Sequence, residues 1–185
     1  MILLVCLGLG ILLRVLSGNT IGDIGHIHVH GEAWLIAVLC LQGVLPLVRL
    51  SGTLAQAAYW LWLATFPLLI GIAWRNRSQP GMSLVALGLL LNVLVVSING
   101  GMPVMEAAAV AAGLQGRLSM PVGDFIHVLG GRVTRLPWLA DAIPLPAAPV
   151  SRVVPSAGDL LLYVGVVAFI AGARARAVSS RRKAE

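Results

Sequence analysis

The sequence predicts an all-α, polytopic transmembrane helix bundle of about five spans, with a long extracytoplasmic loop segment between the fourth and fifth. Three observations lead there. Apolar residues fill 58% of the 185 positions and charged residues only 11%. The mean hydropathy is +0.93, well outside the usage of soluble domains. The apolar residues are also gathered into five runs, with the polar ones collected between them. Backbone N–H and C=O groups cannot stay unpaired in hydrocarbon, so a run that spans is helical.

The five runs are 2–16, 33–50, 54–74, 83–98 and 158–173. At 1.5 Å per residue the third reaches about 31 Å and matches a hydrocarbon core of roughly 30 Å. The first, fourth and fifth reach only about 22–24 Å, so they need flanking turns, snorkelling side chains or local thinning. The expected organisation is four spans with short loops in residues 1–98, an extracytoplasmic segment packed on the bundle at 99–155, a fifth span at 156–175 and a basic cytoplasmic tail at 176–185.

Orientation follows from the 13 basic residues, because short cytoplasmic loops retain Lys and Arg. With the C-terminus inside, Arg14, Arg75, Arg77 and the tail cluster (Arg174, Arg176, Arg181, Arg182, Lys183) are cytoplasmic. Outside, Arg49 lies in a short loop, while Arg117, Arg132, Arg135 and Arg152 sit in the long segment and weigh little. Trp34 and Trp74 then fall at the inner interface, with Tyr59, Trp60 and Trp62 toward the outer one. Met1 to Leu13 carries no charge ahead of Arg14, a pattern that suits a retained helix entering N-terminus outside rather than a signal peptide. The expected location is a bacterial plasma membrane. Apart from the tail cluster, the basic residues behind the formal charge of +6 are scattered in ones and twos, which reads as topology and not as a nucleic-acid stripe.

The long segment holds the turn formers Asn99, Gly100 and Gly101, an Ala-rich helical candidate at 105–112 ending at Gly113, and a Pro-rich stretch at 143–149. Its apolar residues, Phe125, Ile126, Leu136, Trp138, Leu139, Ile143 and Leu145, argue that it packs over the helices. The tripeptide Met102-Pro103-Val104 recurs at Met120-Pro121-Val122, too short a match for a duplication.

Few residues suggest chemistry. All seven acids fall in loops, tails or span ends, which lowers the expectation of an ion-coupled transporter. Asn92 and Gln42 lie within spans, where such amides most often hydrogen-bond across helices; Asn99 follows Asn92 on about the same face. His26, His28 and His30 would point one way in an extended strand and are candidate metal ligands, against the plainer reading of an interfacial segment alternating with Ile27 and Val29. Asp124 and His127 are spaced as neighbours on a helix, with surface hydrogen bonding as the plainer reading. Arg135 and Asp141 flank Pro137-Trp138 and are expected to brace the loop. Ser156 with Asp159 has the spacing of a capping box opening the last helix. Cys6 and Cys40 sit in apolar runs, where a thiol behaves as a small hydrophobe, so neither a disulfide nor a zinc site is expected.

Leu91-Asn92 running into Asn99-Gly100-Gly101-Met102-Pro103-Val104, then Thr134-Arg135-Leu136-Pro137-Trp138-Leu139 with Asp141 and Ile143-Pro144-Leu145, then Ser156 with Gly158-Asp159-Leu160-Leu161, resembles a family of small bacterial multi-pass membrane proteins catalogued as domain of unknown function 5317. The resemblance covers nearly the whole chain in motif order and implies a bacterial membrane location with a recurrent outer-face feature. It implies no activity. The His-rich inner segment departs from the family's more Arg-rich pattern.

The functional expectation is a non-enzymatic membrane component without cofactor, whose outer segment forms a surface for another membrane protein or a lipid-soluble ligand. Asn92, Asn99, Gly100, Gly101, Met102, Arg135, Asp141 and Asp159 are its candidate residues. A second expectation is an enzyme or carrier acting on a lipid-soluble substrate through Asp124, His127, Arg135 and Asp141. A third is metal sensing at the cytoplasmic face by His26, His28 and His30.

Overall fold

A computed structural model describes residues 2–22, 24, 27–48, 50–114, 124–148 and 151–172. The chain is mostly helical, and each of the five apolar runs is a helix: α1 (Ile2–Leu16), α2 (Glu32–Val44), α3 (Gly52–Arg75), α4 (Met82–Asn99) and α6 (Ala157–Gly172). A sixth helix, α5 (Glu106–Ala111), is the expected Ala-rich one, and Gly113 follows it with a positive φ. Two of these helices, α3 and α4, are long and apolar enough to cross a membrane.

Helix α2 stops short of the expected position 50. Pro46 cannot donate a backbone hydrogen bond, and the chain tightens into a 3-10 turn over Leu45–Leu47. Pro67 inside α3 has no such effect: the helix continues unbroken for 24 residues. Gln42 Nε2 donates to Thr65 Oγ1 at 2.6 Å and Thr65 donates onward to the Trp62 carbonyl, so α2 is tied to α3 by the cross-helix amide that its sequence suggested.

The helices lie side by side in the order α1, α6, α4, α3, α2, with α6 inserted between the first helix and the fourth. Contacts between α4 and α6 define their directions. A Cβ placed on Gly81 would collide with the Gly165 carbonyl, and one on Gly88 with that of Gly158. Glycines seven residues apart on one helix therefore face glycines seven apart on the other, antiparallel, with backbone against backbone. Helix α1 runs parallel to α6: Gly10 meets Val167 and Ile170, and Arg14 donates to the Ile170 carbonyl. Tyr59 donates to the Val96 carbonyl, which sets α3 antiparallel to α4.

These directions put Arg14, the His30 segment, Arg75 and Gly81 near one end of the bundle. At that end Asn76 Oδ1 accepts from His30 N at 2.9 Å while Nδ2 donates to the His30 and Ile72 carbonyls. At the other end α4 leads into the long segment and α6 leaves it. Gly100, at φ 72, terminates α4, and Gly101 N donates to the Val96 carbonyl.

The segment is not the purely irregular or helical stretch that the all-α reading implies. Strand β1 (Met102–Met105) pairs in parallel with β2 (His127–Gly130), and β3 (Leu145–Ala148) with β4 (Ser151–Val153) in an antiparallel hairpin. On its free side β1 takes Asp141: Asp141 N donates to the Pro103 carbonyl and Met105 N to the Asp141 carbonyl, both at 2.9 Å. Phe125, Ile126 and Leu139 pack on the bundle core as expected, whereas Trp138 is exposed.

One aromatic position differs from expectation. Trp62 is not an interface anchor but a core residue, edge-to-face with Phe66 at 4.9 Å between centroids. Arg14 is buried, with Nε on the Thr20 carbonyl and a guanidinium N–H on the Ile170 carbonyl near the C-terminus of α6. Asp23, His26, Arg49, Arg117, the second Met-Pro-Val tripeptide and the tail from 173 lie outside the described residues.

The close α4/α6 contact predicts that Gly165→Val lowers stability by about 1–3 kcal/mol through overpacking, read as a lower melting temperature in detergent. Gly71→Ala on α3, where a Cβ meets nothing within 4 Å, leaves it unchanged or slightly raised.

Candidate functional site

The polar centre of the molecule forms where α6 begins. Ser156 and Asp159 close a reciprocal capping box: Asp159 N donates to Ser156 Oγ at 3.0 Å, and Ser156 N to Asp159 Oδ2 at 3.1 Å. The spacing alone indicated this much. What it did not indicate is that Asn92 of α4 enters the same network, donating from Nδ2 to Asp159 Oδ1 at 2.7 Å and accepting from the Ser156 hydroxyl at 3.0 Å. Ser156 and Asn92 are both buried. Gly158 lies against the Asn92 carboxamide, where a Cβ would overlap Oδ1, so the absence of a side chain at 158 lets the amide reach the cap.

Asp141 sits at the edge of this network with its backbone held by β1 and only 8% of its surface exposed. Its Oδ1 has no hydrogen-bond partner. Burial, reinforced by the charge of nearby Asp159, pushes the Asp141 carboxyl up to about 8, so it holds its proton at neutral pH. The expected Arg135–Asp141 brace does not form. Arg135 instead meets α4 through its backbone: Asn99 Nδ2 donates to the Arg135 carbonyl at 3.0 Å and Arg135 N donates to Asn99 Oδ1 at 2.9 Å, while Nδ2 also donates to Val95 O at 2.8 Å. One amide thus ends the helix and pins the 131–135 turn to it.

Beside that pin lies an open groove of about 280 Å³ between the last turn of α4, β2 and the turn, floored by Pro103 and bordered by Ile98, Leu129, Val133, Thr134 and Arg135. The candidate residues therefore separate into two places. Asn92 and Asp159 meet in the buried knot, with Asp141 near enough to feel the Asp159 charge; Asn99 and Arg135 meet at the groove, with Gly100 and Gly101 forming the turn between α4 and β1, which Met102 opens.

Asp124 and His127 are adjacent, but in a turn and not on a helix. Asp124 Oδ1 accepts from the Ile126 and His127 backbone N–H groups, and Oδ2 lies 2.9 Å from His127 Nδ1. Burial works against ionisation of Asp124, but the His127 and Ile126 N–H groups and the imidazole outweigh it and hold the carboxyl below its usual range. His127 pairs with Met102 on one side of β1 and Asp141 pairs with Val104 on the other. Two strand spacings, roughly 10 Å, separate those backbones.

At the opposite end His28 and His30 are exposed, and His30 Nδ1 is 3.4 Å from Asn76 Oδ1. With His26 outside the described residues, no group of three potential metal ligands is found among those described. Asn76 and Thr65 are buried polar residues that sequence reasoning passed over, and Arg14 was read there for topology alone. Their signal was slight: an Asn following the Trp74-Arg75 helix end, and an Arg closing an apolar run.

Residues 26–171 match the model of a family described as "Family of unknown function (DUF5317)". The chain belongs to this family. The match takes in α2 through nearly all of α6, with the knot and the groove, and leaves α1 outside it. Among curated proteins, an "Uncharacterized protein" of Thermotoga maritima is 36% identical over 95 residues, 51% of this chain. The chain spans about half of that relative's length, 52%. No solved structure matches the chain.

The raised Asp141 fixes a pH dependence. The folded protein keeps this proton up to about pH 8, whereas an unfolded aspartic acid loses it near 3.8. The stability tied to the neutral form is complete below about pH 4 and is lost as pH rises to about 8. Melting temperature in detergent should therefore fall between pH 5 and 9, and Asp141→Asn, a neutral isostere, should flatten that fall. A Ser156→Ala change removes the cap and one bond to Asn92, with an expected loss of about 1–2 kcal/mol.

Proposed function

We propose that the protein is a multi-pass integral membrane protein that crosses a bacterial plasma membrane five times, N-terminus outside and C-terminus cytoplasmic, and that its long segment forms an outer cap binding a ligand or another membrane protein. The carrying observation is the outward surface of the helices. Leu4, Leu12 and Leu16 on α1, Trp34 and Ile36 on α2, Leu54, Trp60 and Leu61 on α3, and Leu87, Leu90 and Leu94 on α4 all point away from the core and are largely exposed. So much apolar surface is costly in water and matches lipid.

Helix directions support the orientation. Arg14, Arg75 and Arg77 gather at the end opposite the capping segment, the side that the positive-inside rule assigns to the cytoplasm. Helices shorter than a full bilayer core, such as the 15-residue α1 and 16-residue α6, fit through local thinning of the bilayer and flanking side chains that reach the interface. The binding role rests on the cap itself: its backbone is organised by short strands and anchored through Asn99, Asp141 and Ser156, and it presents an open groove.

In a Cys6→Ala, Cys40→Ala background, Arg132→Cys should react with a membrane-impermeant thiol reagent on intact cells. A cysteine added after Glu185 should react only after permeabilisation, and the protein should stay in the membrane pellet after alkaline extraction. Labelling of the tail from outside, or release into the alkaline supernatant, contradicts the reading.

A further inference from the structure

Resting on that membrane reading, we propose that the groove beside Asn99 holds an anionic phospholipid, with its phosphate against the Arg135 guanidinium and Thr134 hydroxyl and an acyl chain along Ile98, Leu129 and Val133. Four features of the groove point to this occupant.

The first is its level. Ile98 and Asn99 are the last residues of an 18-residue helix, so the groove opens where a spanning α4 would meet the headgroup layer. The second is its charge: no acidic side chain pairs with the Arg135 guanidinium among the described residues, while its backbone is held on both sides by Asn99. The cation is thus presented from a fixed point with its donors free for phosphate oxygens. The third is a neutral donor beside it. Thr134 Oγ accepts from Gly131 N at 2.8 Å, which leaves the hydroxyl proton to donate.

The fourth separates a lipid from a free anion. Val133 is 94% exposed and Leu129 59%, and together with Ile98 they flank the polar corner. An inorganic ion would leave these side chains in place, uncovered; an acyl chain covers them. A volume of about 280 Å³ takes a headgroup and the first part of a chain, the remainder lying in the bilayer.

The test is lipid retention by the full-length protein in a neutral detergent, read by native mass spectrometry. Didecanoyl phosphatidylglycerol, phosphatidylcholine of the same chain length and inorganic phosphate are each titrated. The expected result is about fivefold stronger retention of phosphatidylglycerol than of phosphatidylcholine, and no displacement by phosphate at equal concentration. Arg135→Gln should abolish the preference and Arg135→Lys should keep part of it. Val133→Asp should weaken both lipids, while Arg132→Gln, at an exposed arginine outside the groove, should change nothing. All three sites are exposed, and unchanged melting temperatures would show that the variants fold.

Equal retention of the two lipids, an unaltered preference in Arg135→Gln, or full competition by inorganic phosphate overturns the proposal. Each of these outcomes is independent of the alkaline-extraction and thiol-labelling results. A protein that passes those tests and fails this one keeps its membrane reading and loses only its lipid.

Discussion

The architecture depends on the close approach of α4 and α6. In a lipid setting the hydrophobic effect does little to hold one apolar helix against another, and association relies on van der Waals contact and polar links. Gly81 and Gly88 facing Gly165 and Gly158 supply the contact by letting two backbones touch. The Asn92 carboxamide supplies the link, at the one point where α6 has a cap for it to join. Each feature needs the other: the amide reaches Asp159 and Ser156 only because position 158 has no side chain, and the glycine register is held by the amide. With α6 fixed on α4, its other face receives α1, and Arg14 bonds the Ile170 carbonyl near the helix's far end.

The same contact decides what the cap can be. The chain leaves α4 at Gly100 and returns to Ser156 beside Asn92, so the described part of the intervening segment lies over one end of the bundle. β1 is its spine: it takes β2 on one edge and Asp141 on the other. Asp141 thereby holds a buried carboxyl, one oxygen of it without a partner, near the charge of Asp159, and burial keeps that group protonated. The far side of the spine, where Asn99 pins the Arg135 turn, is left open as the groove.

Much of the helical frame was readable in the chain. Apolar runs located five helices because nothing else tolerates such composition, and only α2 ended early, at a proline whose missing N–H was visible in the sequence. The Ser156–Asp159 box and the cross-helix role of Gln42 followed from residue type and spacing, since both are local or nearly so. The strands were not readable: none exceeds four residues, and β1 finds its partner more than twenty positions away, beyond the reach of any periodicity. For the same reason Asn92 was legible as a buried amide but not as a member of the cap, and Arg135 and Asp141 looked like a pair only because they are close in sequence. Glycine spacing on α4 and α6 was also present in the chain, but its meaning required knowing that the two helices are neighbours.

The most direct measurement of this arrangement is a disulfide between the two helices at the end remote from the knot. A Cβ on Gly172 would stand 3.3 Å from that of Pro80, near the separation a disulfide requires. In a background lacking Cys6 and Cys40, Pro80→Cys with Gly172→Cys should cross-link rapidly under mild oxidation, while Pro80→Cys with Ala157→Cys should not. Cross-linking of the second pair in place of the first would mean that α6 does not return antiparallel along α4, and the account of knot, cap and groove would fail with it.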